Sequence, residues 1–335
     1  MSDQGVEDGE VYSVTRPRLI CLVTGFARLF LLLACTVLFG LRTESQDLAP
    51  RIYVITPIHS NAIVLSYSFE TGGILINPTL PISNAKGTLH VPTVSYSHSF
   101  NLLGRTANFS AALPYVVGHF KANVNGTPEA VYRSGLYDSQ FRFSVNLKGG
   151  PAMDSRQYAG WNQKLLVGAS VTVTAPTGQY DPTLLVNLGT NRWSIKPELG
   201  LSRRKNHWVA DFYMGVWLFT ENPEFFSHNA VYPGTNTQTQ NPLGAIEGHL
   251  SYDVKPRLWI SLDGNYWYGG KVYRNGSVAL GTLESNSRVG VTASIPLHKH
   301  QAFKFSYSYG AIVRVGGNYN DLSIGWQYSW TGKPN

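Results

Sequence analysis

Lys196, Glu198 and Asp211, followed by Glu247, His249 and Asp263, are the ionisable residues whose spacing suggests chemistry. Residues two apart share one face of an extended strand. Lys196 with Glu198, and Glu247 with His249, therefore make charged pairs wherever these segments are strands. Antiparallel pairing across the tight turn Lys255-Pro256-Arg257 sets His249 opposite Asp263 and Glu247 opposite Asn265. A turn at 203–206 sets Glu198 opposite Asp211, with Lys196 diagonal to it. Two carboxylates that close raise the pKa of one unless a cation compensates. The set fits two roles, a charge network bracing an enclosed interior and a site for a solute or ion. Arg142, Lys164, Arg288 and Lys304 add charges that would tune what such an interior admits.

Other chemistry is sparse. The chain has no Gly-x-Ser-x-Gly elbow, no His-Glu-x-x-His pair, no phosphate-binding glycine loop and no dinucleotide fingerprint. Both cysteines, Cys21 and Cys35, fall in one N-terminal apolar segment, so an exported mature chain has none. That removes disulfides, thiolate catalysis and cysteine–zinc sites together. No residue pattern calls for a metal or a cofactor.

The elements that must position these residues follow from composition and periodicity. Of 335 residues, 43% are hydrophobic and 14% charged, with 13% aromatic and 33 glycines. Disordered chains are charge-rich and aromatic-poor, and helical membrane proteins need repeated apolar runs of roughly 20 residues. Neither description fits, and the richness in Gly, Tyr, Trp, Ser, Thr and Asn points to an all-β chain. Residues 1–45 hold four basic and five acidic residues, which leaves 23 Lys+Arg against 15 Asp+Glu in the remainder. On an exported chain with no basic helix, that balance does not argue for a nucleic-acid partner.

From Ser60 onward the chain alternates apolar with small or polar residues at period two. Leu322, Ile324, Trp326, Tyr328 and Trp330 alternate with Ser323, Gly325, Gln327 and Ser329. Twelve strands are predicted, at 60–69, 88–100, 104–117, 136–147, 161–174, 193–202, 207–219, 243–254, 258–268, 287–297, 302–312 and 320–330. Their connections alternate long and short, which places every long loop at one end. This is the layout of a transmembrane up-and-down antiparallel β-barrel. Segments of ten to fourteen residues suit a tilted membrane crossing, for which about 9 to 11 suffice. The polar face then lines a wet lumen, and Tyr115, Trp161, Trp193, Trp208 and Trp330 fall in interfacial girdles.

Near the N-terminus, Arg16-Pro17-Arg18 precede an apolar segment whose densest part is Leu29 to Leu41. Its 13 residues are too few to span a bilayer and match a signal-peptide core, with a signal anchor as the alternative. Residues 1–15 are more acidic than a signal-peptide start, which points to a start at a later codon, and cleavage is expected between Gly40 and Gln46. The expected organisation is a signal region at 1–45, a periplasmic segment at 46–59 lying in the barrel mouth or threading inside, a barrel at 60–330 and a tail at 331–335.

Two resemblances sharpen the reading. His249-Leu250-Ser251 with Asn265 is similar to the His, Ser and Asn trio of outer-membrane phospholipases, but that trio faces lipid and these residues have lumen parity. Gln46-Asp47-Leu48-Ala49-Pro50-Arg51 with Tyr53, Asn61-Ala62, and the stretch Gly189-Thr190-Asn191-Arg192-Trp193-Ser194-Ile195-Lys196-Pro197-Glu198-Leu199-Gly200 resemble the outer-membrane proteins of the meta-pathway of phenol degradation. Asn241-Pro242 and the ending Gly325 to Trp330 extend the similarity over about 46–330. The resemblance implies an outer-membrane barrel that takes up small aromatic or hydrophobic compounds. Its partners would be those solutes, outer-membrane lipid and the barrel-assembly machinery. On it, Gly189 to Trp193 close the long loop 175–192, and Phe225, Phe226 and Tyr232 of loop 220–242 offer aromatic contacts.

Overall fold

The computed structural model describes residues 48–75, 82–124, 127–230 and 232–332. The expected signal region and the end of the C-terminal tail lie outside the described residues. The alternating sequence folds into strands β1 (Ser60–Leu75), β2 (Ile82–Leu102), β3 (Arg105–Val124), β4 (Thr127–Leu136), β5 (Ser139–Lys148), β6 (Leu165–Ala175), β7 (Ser194–Lys205) and β8 (Trp208–Phe219). It continues with β9 (Gln238–Gln240), β10 (Leu243–Lys255), β11 (Leu258–Gly269), β12 (Val272–Arg274), β13 (Ser277–Val278), β14 (Glu284–His298), β15 (Gln301–Ile312) and β16 (Gly316–Thr331). One short helix, α1 (Ser155–Ala159), is capped by Asp154 and sits between β5 and β6. Among the described residues no helix is long and apolar enough to cross a membrane.

β4 and β5 both pair with β3 and together form one stave, so twelve staves close into an antiparallel barrel. The seam joins first strand to last, from Ser60 opposite Thr331 to Leu75 opposite Gly316. β9, β12 and β13 form a separate small sheet in the long loops. Closure matters because hydrocarbon offers no hydrogen-bond partner to a free strand edge.

The two faces have inverted polarity relative to a water-soluble barrel. Leu199, Leu201, Phe212, Met214, Leu250, Ile260 and Leu262 are exposed on the outside. Ser170, Ser202, Ser251, Ser261, Thr292 and Ser308 are buried inside. Only a lipid surround makes that arrangement favourable, so the barrel sits in the outer membrane. Trp326, Tyr328 and Trp330 stack successively, with centroids 6.3 and 5.8 Å apart, near the short-turn end. Trp208 packs on Tyr252 at 4.9 Å in the same zone.

All twelve expected strands are present. The stretches expected as loops at 70–87 and 118–135 are instead largely strand, because β1–β2 and β3–β4 run on as paired hairpins above the barrel. The turn expected at 203–206 is also corrected. Lys205 pairs with Trp208 around Asn206-His207, and Asn206 takes the positive φ that a two-residue hairpin favours. Ser202, not Glu198, therefore faces Asp211, and Glu198 lies opposite Gly215. The turn expected at Lys255-Pro256-Arg257 is the two-residue turn Pro256-Arg257, and a bulge between Asp253 and Lys255 restores the expected register, with His249 opposite Asp263 and Glu247 opposite Asn265.

Leu262 lies midway along β11 with its side chain outward, between Leu250 and Val291. Leu262→Arg is expected to destabilise the barrel by about 2–4 kcal/mol, as a charge near the bilayer midplane does. Equilibrium unfolding in lipid vesicles measures it, and a shift near zero would place this face away from lipid.

Candidate functional site

The lumen wall of β7, β8, β10, β11 and β14 carries one chain of charged side chains. Lys196 Nζ lies 2.7 Å from Glu198 and 2.8 Å from Glu247. Glu247 is 3.8 Å from His249 Nε2, and His249 Nδ1 is 2.9 Å from Asp263. Asp263 also accepts from the hydroxyls of Ser261 and Thr292, each at 2.6 Å. Period-two placement puts these groups on one face, the β10–β11 register sets His249 opposite Asp263, and Lys196 reaches Glu247 across β8 over Gly215. Burying charges is costly unless each is paired, and the chain pairs them in sequence.

Residues 48–59 run inside the barrel against this wall. Tyr53 is the centre of the contact. Its ring rests over Gly168 and Gly200, which face each other across β6–β7. A Cβ at either glycine would lie 2.2 or 2.0 Å from that ring, so the cradle requires two glycines. The Tyr53 hydroxyl donates to Glu198 Oε1 at 3.0 Å and lies 2.9 Å from Ser170 Oγ. Arg51, at φ 65°, turns the chain. Its guanidinium meets Asp253 at 2.7 Å and stacks 4.5 Å over Trp259. Asp253 pairs with Arg204 as well. The amide of Arg51 donates to Asp211 at 3.2 Å, and the amide of Ile52 to the Tyr213 hydroxyl at 3.3 Å. Below, Ile55 packs with Met153 and Leu166.

The expected site residues thus separate into groups. Lys196, Glu198, Glu247, His249 and Asp263 form the chain. Asp211 is not part of a carboxylate pair with Glu198, because the tighter hairpin moves it four residues along, where it anchors the N-terminal segment. Arg288 is held elsewhere, donating to Ser308 Oγ at 3.0 Å and to the Tyr319 carbonyl at 3.0 Å. Lys304 lines a cavity of about 330 Å³ between Leu48 and Ala49 of the inner segment and the wall of β1, β2, β11 and β14–β16, where Asp321 and Asp263, the last member of the charged chain, also face it. Ser66, Ser68, Ser306 and Ser323 supply hydroxyls there, and Val64 an apolar surface.

At the long-loop end, a residue missed by spacing arguments organises the motif. Asp138 is fully buried between β4 and β5. It accepts from the amide of Gly178 at 2.9 Å, the amide of Thr190 at 2.9 Å and the Thr190 hydroxyl at 2.6 Å. Gly178 and Gly189 meet too closely for a Cβ on either. Asn191 donates to Asn222 at 3.1 Å, and Arg192 stacks 4.5 Å over Phe219. Trp193 points outward and is half exposed. Pro197, on the outer face opposite Val171, interrupts the β7–β8 ladder because it has no N–H. Within loop 176–193, Thr183 donates its hydroxyl and its amide to Asp181, which holds that carboxylate below its usual range. Phe225 lies under Arg274 and Phe226 against Tyr232, so these aromatics brace the loops.

The family profile described as "Putative MetA-pathway of phenol degradation" matches residues 80–310. The chain belongs to this family. No curated protein matches the chain. Among solved structures, the COG4313 outer membrane channel from Pseudomonas putida F1 is similar at 18% identity, covering 85% of this chain and 100% of its own, with TM-score 0.70. The β domain of the Bordetella autotransporter BrkA is 13% identical over 81% of this chain and 100% of its own, with TM-score 0.46. The family match and the similarity to the COG4313 channel agree with the barrel read from the sequence.

Gly200→Val is expected to evict Tyr53 while leaving the strands paired. Limited proteolysis of the folded, heat-modifiable barrel should then cut within the N-terminal segment, which stays protected in the wild type. Lys196→Met, which leaves Glu198 and Glu247 buried without their shared cation, should cost about 3–5 kcal/mol of stability in denaturant titration.

Proposed function

We propose that this protein is a passive outer-membrane channel for small aromatic or hydrophobic solutes carrying a polar group, rather than an enzyme. The carrying observation is the cavity beside the inner segment. Residues 48–59 fill the lumen beside β6–β8, while the space beside β1, β2 and β14–β16 stays open and is reached by Asp263 at the end of the charged chain. The volume of about 330 Å³ falls at the lower end of small-molecule sites. Serine hydroxyls suit one polar substituent, and Leu48, Ala49 and Val64 suit a ring. Membership of a phenol-degradation family supports the same solute class.

In this reading Lys196 and Glu198 act by holding the inner segment, and Lys304 with the serines meets the solute. The lookalike trio does not favour hydrolysis. His249, Ser251 and Asn265 are buried on the lumen face, and the Nδ1 of His249 is engaged by Asp263. A second reading, a closed barrel whose loops bind surface partners, draws on the inner segment occupying the lumen.

Liposomes containing the refolded mature chain separate the two. Phenol should enter faster than into empty vesicles, with small bilayer conductance, and Ser323→Trp should remove most of that uptake without altering heat-modifiability. Uptake no faster than in empty vesicles would favour the closed barrel, and full uptake by Ser323→Trp would contradict this route.

A further inference from the structure

On the outer wall at the long-loop end, β1 to β4 carry their outward residues in rows that run across the strands. Tyr67, Tyr115 and Leu136 lie in one row. The next holds Phe69, His90 and Val117, then Thr71, Thr88, His119 and Tyr132, then Gly73, Lys86 and Lys121. The tyrosines mark the edge of the hydrocarbon. Rows are about 7 Å apart along a strand, so at the usual tilt the lysines stand about 15 Å above the girdle. A phospholipid head group reaches only about 5–8 Å above the hydrocarbon.

Lys86 and Lys121 face each other directly across β2–β3. Like charges directly opposite repel, and such a pair is stable when an anion lies between. Among the described residues neither lysine is bridged to a carboxylate. Residues 76–81 and 125–126 contain no Asp or Glu. Glu129, opposite Ala122, has the parity of the inner face. Gly73 keeps the outer surface low, and the two lysines with His119, Thr71 and Thr88 border a cavity of about 550 Å³.

We propose that this face binds the phosphate groups of an outer-leaflet glycolipid. The lysines complement phosphate charge, and the threonines and His119 offer hydrogen bonds to adjoining sugars. Their height selects the lipid class, because only a glycan-extended head places phosphate so far above the acyl chains. The site uses lipid as its ligand and is separate from the lumen, so its failure and that of the channel reading are distinguishable.

The test measures binding of fluorescent rough lipopolysaccharide with core phosphates to the detergent-solubilised folded chain, with divalent cations chelated. Binding should weaken about tenfold when the glycolipid is dephosphorylated, and about tenfold for the double variant Lys86→Gln, Lys121→Gln. Lys205→Gln, at the opposite end of the barrel, should bind as the wild type does. Equal binding of the dephosphorylated glycolipid to the wild type overturns the proposal without reference to any variant. Unchanged binding by a folded double variant overturns it too, as does displacement by equimolar inorganic phosphate, which would mark a small-anion site.

Discussion

Hydrocarbon accepts no hydrogen bonds, and the rest of the molecule depends on that constraint. Every strand edge must be paired, so β1 and β16 meet and the sheet closes. Closure forces apolar side chains outward and polar ones inward along every stave. Twelve staves enclose a lumen so narrow that inward charges meet along strands and across them, Lys196 of β7 reaching Glu247 of β10 over β8. Lys196, Glu198, Glu247, His249 and Asp263 consequently form one paired chain.

That chain is also the wall on which the inner segment rests. Glu198 receives the Tyr53 hydroxyl, and Asp211 and Asp253 hold Arg51. The two glycines beneath Tyr53 make room for its ring in place of side chains that would otherwise fill the lumen. Charge pairing on one side of the barrel thus positions a plug, and the plug leaves its space on the other side. The remainder, lined by hydroxyls together with Lys304, Asp263 and Asp321, is where a solute would pass, and the loops above are tied down by Asp138 and Asn222 rather than left free.

The fold was legible because a membrane barrel writes itself at period two, in segments such as Leu322 to Trp330 that no other surround would favour. The pairing of His249 with Asp263 was legible too, since a three-residue turn and the observed two-residue turn with a one-residue bulge at Asp253–Lys255 give the same register further along the strands. Glu198 and Asp211 were misaligned because Arg203, Arg204 and Lys205 look like a turn by charge, and yet they continue β7. The long hairpins of β1–β4 were missed because both their faces meet water, which erases the alternation. Asp138 gave no signal beyond one acidic residue beside Tyr137. The cradle of Gly168 and Gly200 joins two strands to a distant segment, and such a contact is invisible to spacing along the chain.

The division of the lumen into a filled and an open half is tested most directly by cysteine accessibility. The chain outside residues 21 and 35 has no native thiol, so single cysteines report cleanly. Ser66→Cys and Ser323→Cys should react rapidly with a small water-soluble thiol reagent in the folded, membrane-inserted barrel. Ser170→Cys and Ser202→Cys, behind the inner segment and its wall, should stay protected. Equal reactivity at all four positions would contradict the account.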